Sequence, residues 1–325
     1  MSRRRKSSGR PTAASPLGRA PAFLQPVSWF RRWLEEPQPI ERLALLRLLV
    51  PLAVLGFLSS RLEHADHWLG SVGFRVPDLG GDWRQPLYLP PMPSWAAWAM
   101  AASMTAAGLA LCAGLATPVA AAVFASLIAY ATLADRLEAF TVTKLAPVLI
   151  LSLCLSPCGA RYSVDSWLRR RRTPHSVLPT TGGSGTIRFF QVFLVTMYSA
   201  SGIAKLRGDW LTRQVLWTHL HDQYQTTAAW LIMRTLPGWS WWALQGLVLL
   251  FEVGAPLWFA LRWTRGAALV IGIGMHVMIG LMFGPVIWFA LLMASLLIAT
   301  FLPERALRRL FTLGAGRDRP LRVPT

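Results

Sequence analysis

Acidic residues are scarce in this chain: 15 Asp and Glu stand against 33 Lys and Arg, for a formal charge of +18. Charged residues of both signs make up only 15%, hydrophobic residues 54%, and the mean hydropathy is +0.41. That balance excludes an ordinary soluble domain and makes the bilayer the expected solvent. Cysteine is also sparse. Cys112, Cys154 and Cys158 are too few, and too apolar in setting, for a disulfide framework, and they read as packing residues. No phosphate-cradling glycine loop, nucleophile elbow or dinucleotide fingerprint occurs. Thr181-Gly182-Gly183-Ser184-Gly185 has no strand before it and reads as flexible linker.

Long apolar runs are abundant. They cover residues 40–59, 93–113, 117–134, 140–157, 188–204, 240–261, 266–283 and 286–302. Each is about the length needed to cross the hydrocarbon core. The first run carries Arg47 and lacks a small-residue cleavage pattern, so it is read as a retained span rather than a removed signal. The expected fold is therefore all-α: a polytopic membrane helix bundle of about eight transmembrane helices, with short interfacial helices on the outer face.

Charge placement orients the bundle, because cytoplasmic loops collect Lys and Arg. With the N-terminus inside, segments 1–39, 158–188, 262–265 and 303–325 hold 22 basic and 5 acidic residues; the outside segments hold 8 of each. The basic residues thus lie between apolar runs and not on a soluble face, which argues against nucleic acid and for membrane lipids as partners. An even number of spans puts both termini in the cytoplasm, at the cell's inner (plasma) membrane. Residues 1–39 are expected to be a disordered basic tail or a transit segment, 40–303 the transmembrane domain, and 304–325 a second basic tail. Trp68, Trp83, Trp95, Trp210, Trp217, Trp230, Trp239, Trp241 and Trp242 fall near the outer interface. Asp209 is placed to cap an interfacial helix running through Leu211, Val215 and Leu216.

Ionisable groups within spans are costly and mark candidate sites: Arg47, Lys144, Glu252 and His276, with Lys205 at the end of the fifth span. An Arg47–Glu252 ion pair is one reading, with Glu252 placed toward the inner side. Lys144 is expected to snorkel to the interface. His276 alone, in Gly274-Met275-His276-Val277-Met278, is as well explained by packing. His64, His67, His219, His221 and Asp222 share the outer side, but the spacings His64-x-x-His67 and His219-x-His221 are common by chance, so no metal site is expected.

Several motifs, taken in order, resemble the HTTM (horizontally transferred transmembrane) domain superfamily, related to the membrane domain of vitamin K-dependent gamma-glutamyl carboxylase. They are Leu46-Arg47-Leu48-Leu49, Tyr162-Ser163-Val164-Asp165, Gly202-Ile203-Ala204-Lys205-Leu206 with Asp209-Trp210, Glu252, Gly274-Met275-His276 and Leu292-Met293-Ala294-Ser295. The resemblance implies that Lys205 matches the lysine that deprotonates reduced vitamin K, that His276 faces the same cavity, and that Arg47, Glu252, Asp209 and Trp210 support it. The implied co-reactant is a reduced quinone such as vitamin K hydroquinone. Ala204 and Ala160 replace a lysine and a histidine of the carboxylase pattern, and the chain runs only to Thr325. Protein carboxylation is therefore not expected. Two functions stay open: an enzyme acting on a quinol or other lipid-soluble substrate through a lysine base, and a non-catalytic scaffold or lipid-binding protein. A transporter lacks the expected repeat or broken helices.

Overall fold

The computed structural model describes residues 25–73, 89–135, 140–212, 214–221 and 226–314; Trp83, Asp222 and the tails 1–24 and 315–325 lie outside them. Among the described residues, fourteen helices form and no strand does. Helix α1 (Gln25–Glu35) belongs to a first compact unit, Met1–Glu36. Within the expected tail, it brings Phe30 against Trp33 and pairs Arg31 with Glu35 one turn on.

The second unit begins at Pro37. It contains α2 (Ile40–Leu62), α3 (Ala65–Trp68), α4 (Ser94–Ala113), α5 (Thr117–Ala134), α6 (Thr141–Cys154), α7 (Val164–Arg172), α8 (Ser184–Arg207), α9 (Val215–His221), α10 (Thr227–Thr235), α11 (Gly238–Ala260), α12 (Arg265–Met282), α13 (Ile287–Phe301) and α14 (Glu304–Gly314). Every one of the eight apolar runs has become a helix. By length and hydropathy, α2, α4, α5, α8, α11 and α12 suffice to cross a membrane. The other two of the about eight expected spans are shorter. Helix α6 has 14 residues, and α13 has 15 and bends by 110° into α14. The Leu155-Ser156-Pro157 and Leu302-Pro303 stops end both runs early, since residues before proline disfavour helical backbone.

The eight helices alternate in direction between two ends. At the basic end, the Ile40 N–H donates to Thr180 O at 3.1 Å, joining the starts of α2 and α8. There Arg42 donates to Ala299 O and Leu302 O at 3.0 and 2.9 Å, neutralising the orphan carbonyls that end α13. Arg265 does the same for α11 through Phe259 O at 3.0 Å. Helices α2, α4, α5 and α6 pack as one group and α8, α11, α12 and α13 as another, joined chiefly by α2 against α13. Leu46, Val50, Val54 and Leu58 are buried along α2, a one-face spacing that fills the centre of the bundle.

Arg47 serves a different corner from the one expected. Its guanidinium donates to Tyr162 O at 2.5 Å, and the α4–α5 turn closes over it at Gly114, where a Cβ would meet Arg47 Nη1 at 1.4 Å. Only glycine fits there, because the turn also needs φ of 69°. Arg47 is thus tied to the loop before α7, and the Arg47–Glu252 pair does not form. In the same corner Asp165 of α7 accepts from the Ala116 and Thr117 amides at 2.8 and 2.9 Å and from Thr117 Oγ1 at 2.6 Å. A residue about fifty positions downstream therefore caps α5. Cys112, Cys154 and Cys158 are all free thiols.

Candidate functional site

Tyr198, Ser201, Gly202 and Lys205 recur at three- and four-residue spacing, so α8 presents them on one face. That face meets α11. A Cβ on Gly202 would lie 2.8 Å from both the Val253 amide nitrogen and Val253 Cγ2, so the two backbones approach as closely as a glycine permits. Glu252 is consequently level with Ser201 and Gly202, in the half of α11 nearer Ala260.

This close approach brings two charges together. Lys205 Nζ donates to Glu252 Oε1 at 2.7 Å and Oε2 at 2.6 Å, and to Ser201 Oγ at 2.8 Å. Three acceptors match the three hydrogens of an ammonium. The Glu252 side chain is 8% exposed and that of Lys205 20%, so the carboxylate is the more deeply enclosed partner. Lys205 also lies 5.1 Å from the centre of the Trp210 ring, within cation–π range.

One to two turns deeper, Tyr198 Oη and His276 Nε2 are 2.8 Å apart and both residues are buried. Phe251 packs edge-on to Tyr198, and Phe289 edge-on to His276. His276 Nδ1 is buried and has no hydrogen-bond partner among the described residues. Helices α8, α11 and α12 thus carry a column of polar groups, from Trp210 at the surface through the Lys205–Glu252 pair to Tyr198–His276, inside an apolar wall.

A family model for the HTTM domain matches residues 37–302. The chain belongs to the HTTM domain family. With six helices long and apolar enough to cross a bilayer, it is an integral, multi-pass membrane protein. The matched HTTM region includes every residue of the polar column and Arg47, and it stops just before α14. No curated protein and no solved structure matches the chain.

Within the HTTM domain, the structure brings together Lys205, Glu252, Trp210 and, deeper, His276, and leaves Arg47 at the basic end. Asp209 does not cap a long helix. It begins a three-residue 3-10 turn, and α9 restarts at Val215. The cause is Gln245, which sequence reasoning passed over. It is buried in α11, where its Nε2 donates to Trp210 O at 2.7 Å and its Oε1 accepts from the Leu216 amide at 3.0 Å, while its main-chain carbonyl accepts from Trp210 Nε1 at 3.0 Å. These contacts hold the backbone out of helix and fix the Trp210 ring beside Lys205. Tyr198 and Ser201 were missed too, although their spacing from Lys205 was visible.

The remaining polar candidates lie apart from the column. Lys144 is exposed on the first turn of α6. His64 Nδ1 contacts Ser60 O of the preceding α2 at 3.0 Å, and His219 Nδ1 contacts Val215 O of its own helix at 2.7 Å. Among the described residues no three His, Cys, Asp or Glu side chains gather as metal ligands.

Proposed function

We propose that this HTTM protein is a membrane enzyme whose Lys205–Glu252 pair takes a proton from the hydroxyl of a lipid-soluble substrate of the quinol class. The observation that carries the reading is the doubly bonded ammonium–carboxylate contact at the edge of the apolar bundle, with Lys205 still partly accessible. A charged pair in low dielectric is costly unless it is well hydrogen-bonded, and ionisable groups in spans are kept mainly where they act.

The pair changes the expected base chemistry. A lone desolvated lysine could act as a neutral amine, whereas Lys205, bonded to both Glu252 oxygens, can pass a proton to the carboxylate while taking one from the substrate. The net proton then comes to rest on Glu252, with the Lys205 ammonium left to stabilise the negative charge that develops on the substrate oxygen. A flat hydroxylated ring suits this donor set, since Trp210 offers a π face beside the exposed side of Lys205. A bound quinol supplies the acidic hydroxyl, and its anion passes two electrons to dissolved oxygen, leaving quinone and peroxide. Tyr198 and His276 line the deeper side, where the unpartnered Nδ1 can hold a second polar atom of the substrate. In this reading the basic end faces the cytoplasm of the inner membrane, following the charge bias, and substrate enters from the outer leaflet at the tryptophan-rich end.

The test is oxygen uptake by protein in liposomes supplied with reduced menaquinone. The wild type is expected to exceed protein-free liposomes, and Lys205→Ala and Lys205→Arg to fall to background while staying folded. Arginine restores the ion pair but holds its proton, so a fully active Lys205→Arg contradicts proton handling at this position.

One observation favours a second reading. All three ammonium hydrogens are already satisfied within the protein, as suits a bolt between α8 and α11 in a non-catalytic scaffold or lipid-binding protein. There Lys205→Arg keeps function and Lys205→Ala loses it only through lost stability.

A further inference from the structure

At the basic end, away from the polar column, α7, α14 and the start of α2 line an open cavity of about 630 Å³. Its walls carry Arg161, Arg170 and Arg308 together with Tyr162, Trp167 and Phe311. The volume is in the range of small-molecule sites. We propose that this cavity binds the phosphate group of a phospholipid headgroup.

The charges fit one phosphodiester. Among the described residues neither Arg161 nor Arg170 meets a carboxylate within ion-pair distance, and Arg161 is held 4.9 Å over the Tyr162 ring. Arg308 is shared with Glu304 at 2.6 Å, and Glu41 lines the wall and accepts from Tyr162 Oη at 3.3 Å. Three guanidiniums against these two carboxylates leave one net positive charge, which balances the single negative charge of a diester. Guanidinium forks match phosphate oxygens in geometry as well as in charge.

The surroundings favour a lipid over a soluble phosphate ester. Helix α14 leaves α13 at 110°, as a helix lying along the bilayer surface does. It buries Leu307 and exposes Arg305, Arg308 and Arg309. Trp167 and Tyr162 are both exposed at this rim, where aromatic rings settle between headgroups and acyl chains. Arg171 stacks 3.8 Å over Trp167 and holds it there. An acyl chain leaving the cavity past these rings stays in contact with apolar surface.

The experiment is native mass spectrometry of the full chain in detergent, titrated with phosphatidylglycerol and, separately, with glycerol 3-phosphate. One phosphatidylglycerol is expected to bind saturably to the wild type. Arg161→Gln/Arg170→Gln should weaken it by roughly tenfold or more. Arg169→Gln/Arg172→Gln, which removes the same charge from the outer face of α7, should leave it unchanged. Equal losses in the two double variants, or no saturable binding, overturn the cavity assignment. Glycerol phosphate binding as tightly as the lipid overturns the lipid as its occupant.

Discussion

Lys205 and Glu252, 47 residues apart in sequence, meet with Nζ 2.7 and 2.6 Å from the two carboxylate oxygens. Because Glu252 is enclosed and Lys205 only partly so, removing either partner strands the other in apolar surroundings. Glu252→Leu and Lys205→Met are each expected to destabilise the bundle by roughly 3 kcal/mol, less for Glu252→Leu, since the lysine it leaves behind reaches water. The double variant should recover most of the loss. Unfolding in mixed micelles, analysed as a double-mutant cycle, measures this coupling; strict additivity contradicts the pair.

Tyr198→Phe removes the hydrogen-bond partner of His276 Nε2, the one partner of that ring among the described residues, while leaving the apolar contact with Phe251. The cost is expected to be about 1–3 kcal/mol, the penalty for an unsatisfied buried polar group. The same micelle unfolding measurement checks it, and an unchanged midpoint contradicts the bond.

Gly202→Val tests the close approach of α8 and α11. Its Cβ would collide with the Val253 backbone, which cannot swing aside as a side chain does. Destabilisation of about 1–3 kcal/mol is expected, together with loss of the proposed activity as Lys205 and Glu252 are pushed apart. Gly246→Ala, on the same helix pair but with open space around its Cβ, is the control and should be stable.

Asp165 links pH to stability outside the spans. Partial burial pushes its pKa up, but the hydrogen bonds from Thr117 and the Ala116 amide, with Arg47 nearby, outweigh this and hold it below the usual carboxylate range. A depressed folded pKa means that the unfolded chain binds the proton more readily. The stabilisation is therefore complete above the unfolded value of roughly 3.9 and is lost as pH falls through the lower folded value. Asp165→Asn is expected to cost about 1 kcal/mol at neutral pH and to flatten the acid limb of the stability profile. A profile parallel to wild type contradicts the assignment.

The architecture was legible because span length and charge bias are local quantities. Each apolar run from Ile40 to Phe301 became a helix, and Arg42 and Arg265 settled at the end where the basic residues collect. The site was only half legible. Lys205, Glu252 and His276 stand out as charges or imidazole in apolar runs, but their partners depend on which faces meet. Gly202 decides that for α8 and α11, and it gave Glu252 to Lys205 and not to Arg47. Ser201, Tyr198 and Gln245 carry no charge, so nothing marked them beyond the helical spacing of the first two. Gln245 also explains why the Asp209–Leu216 stretch, helical by local chemistry, breaks: three tertiary hydrogen bonds outweigh one cap.

The most direct test of proton transfer to the pair is infrared difference spectroscopy of the protein in lipid, before and after anaerobic addition of reduced menaquinone. The account predicts a new protonated-carboxyl band in the wild type that is absent in Glu252→Gln and shifts with isotope-labelled glutamate. Reduced menaquinone that binds without any carboxyl change, or a band that persists in Glu252→Gln, contradicts it.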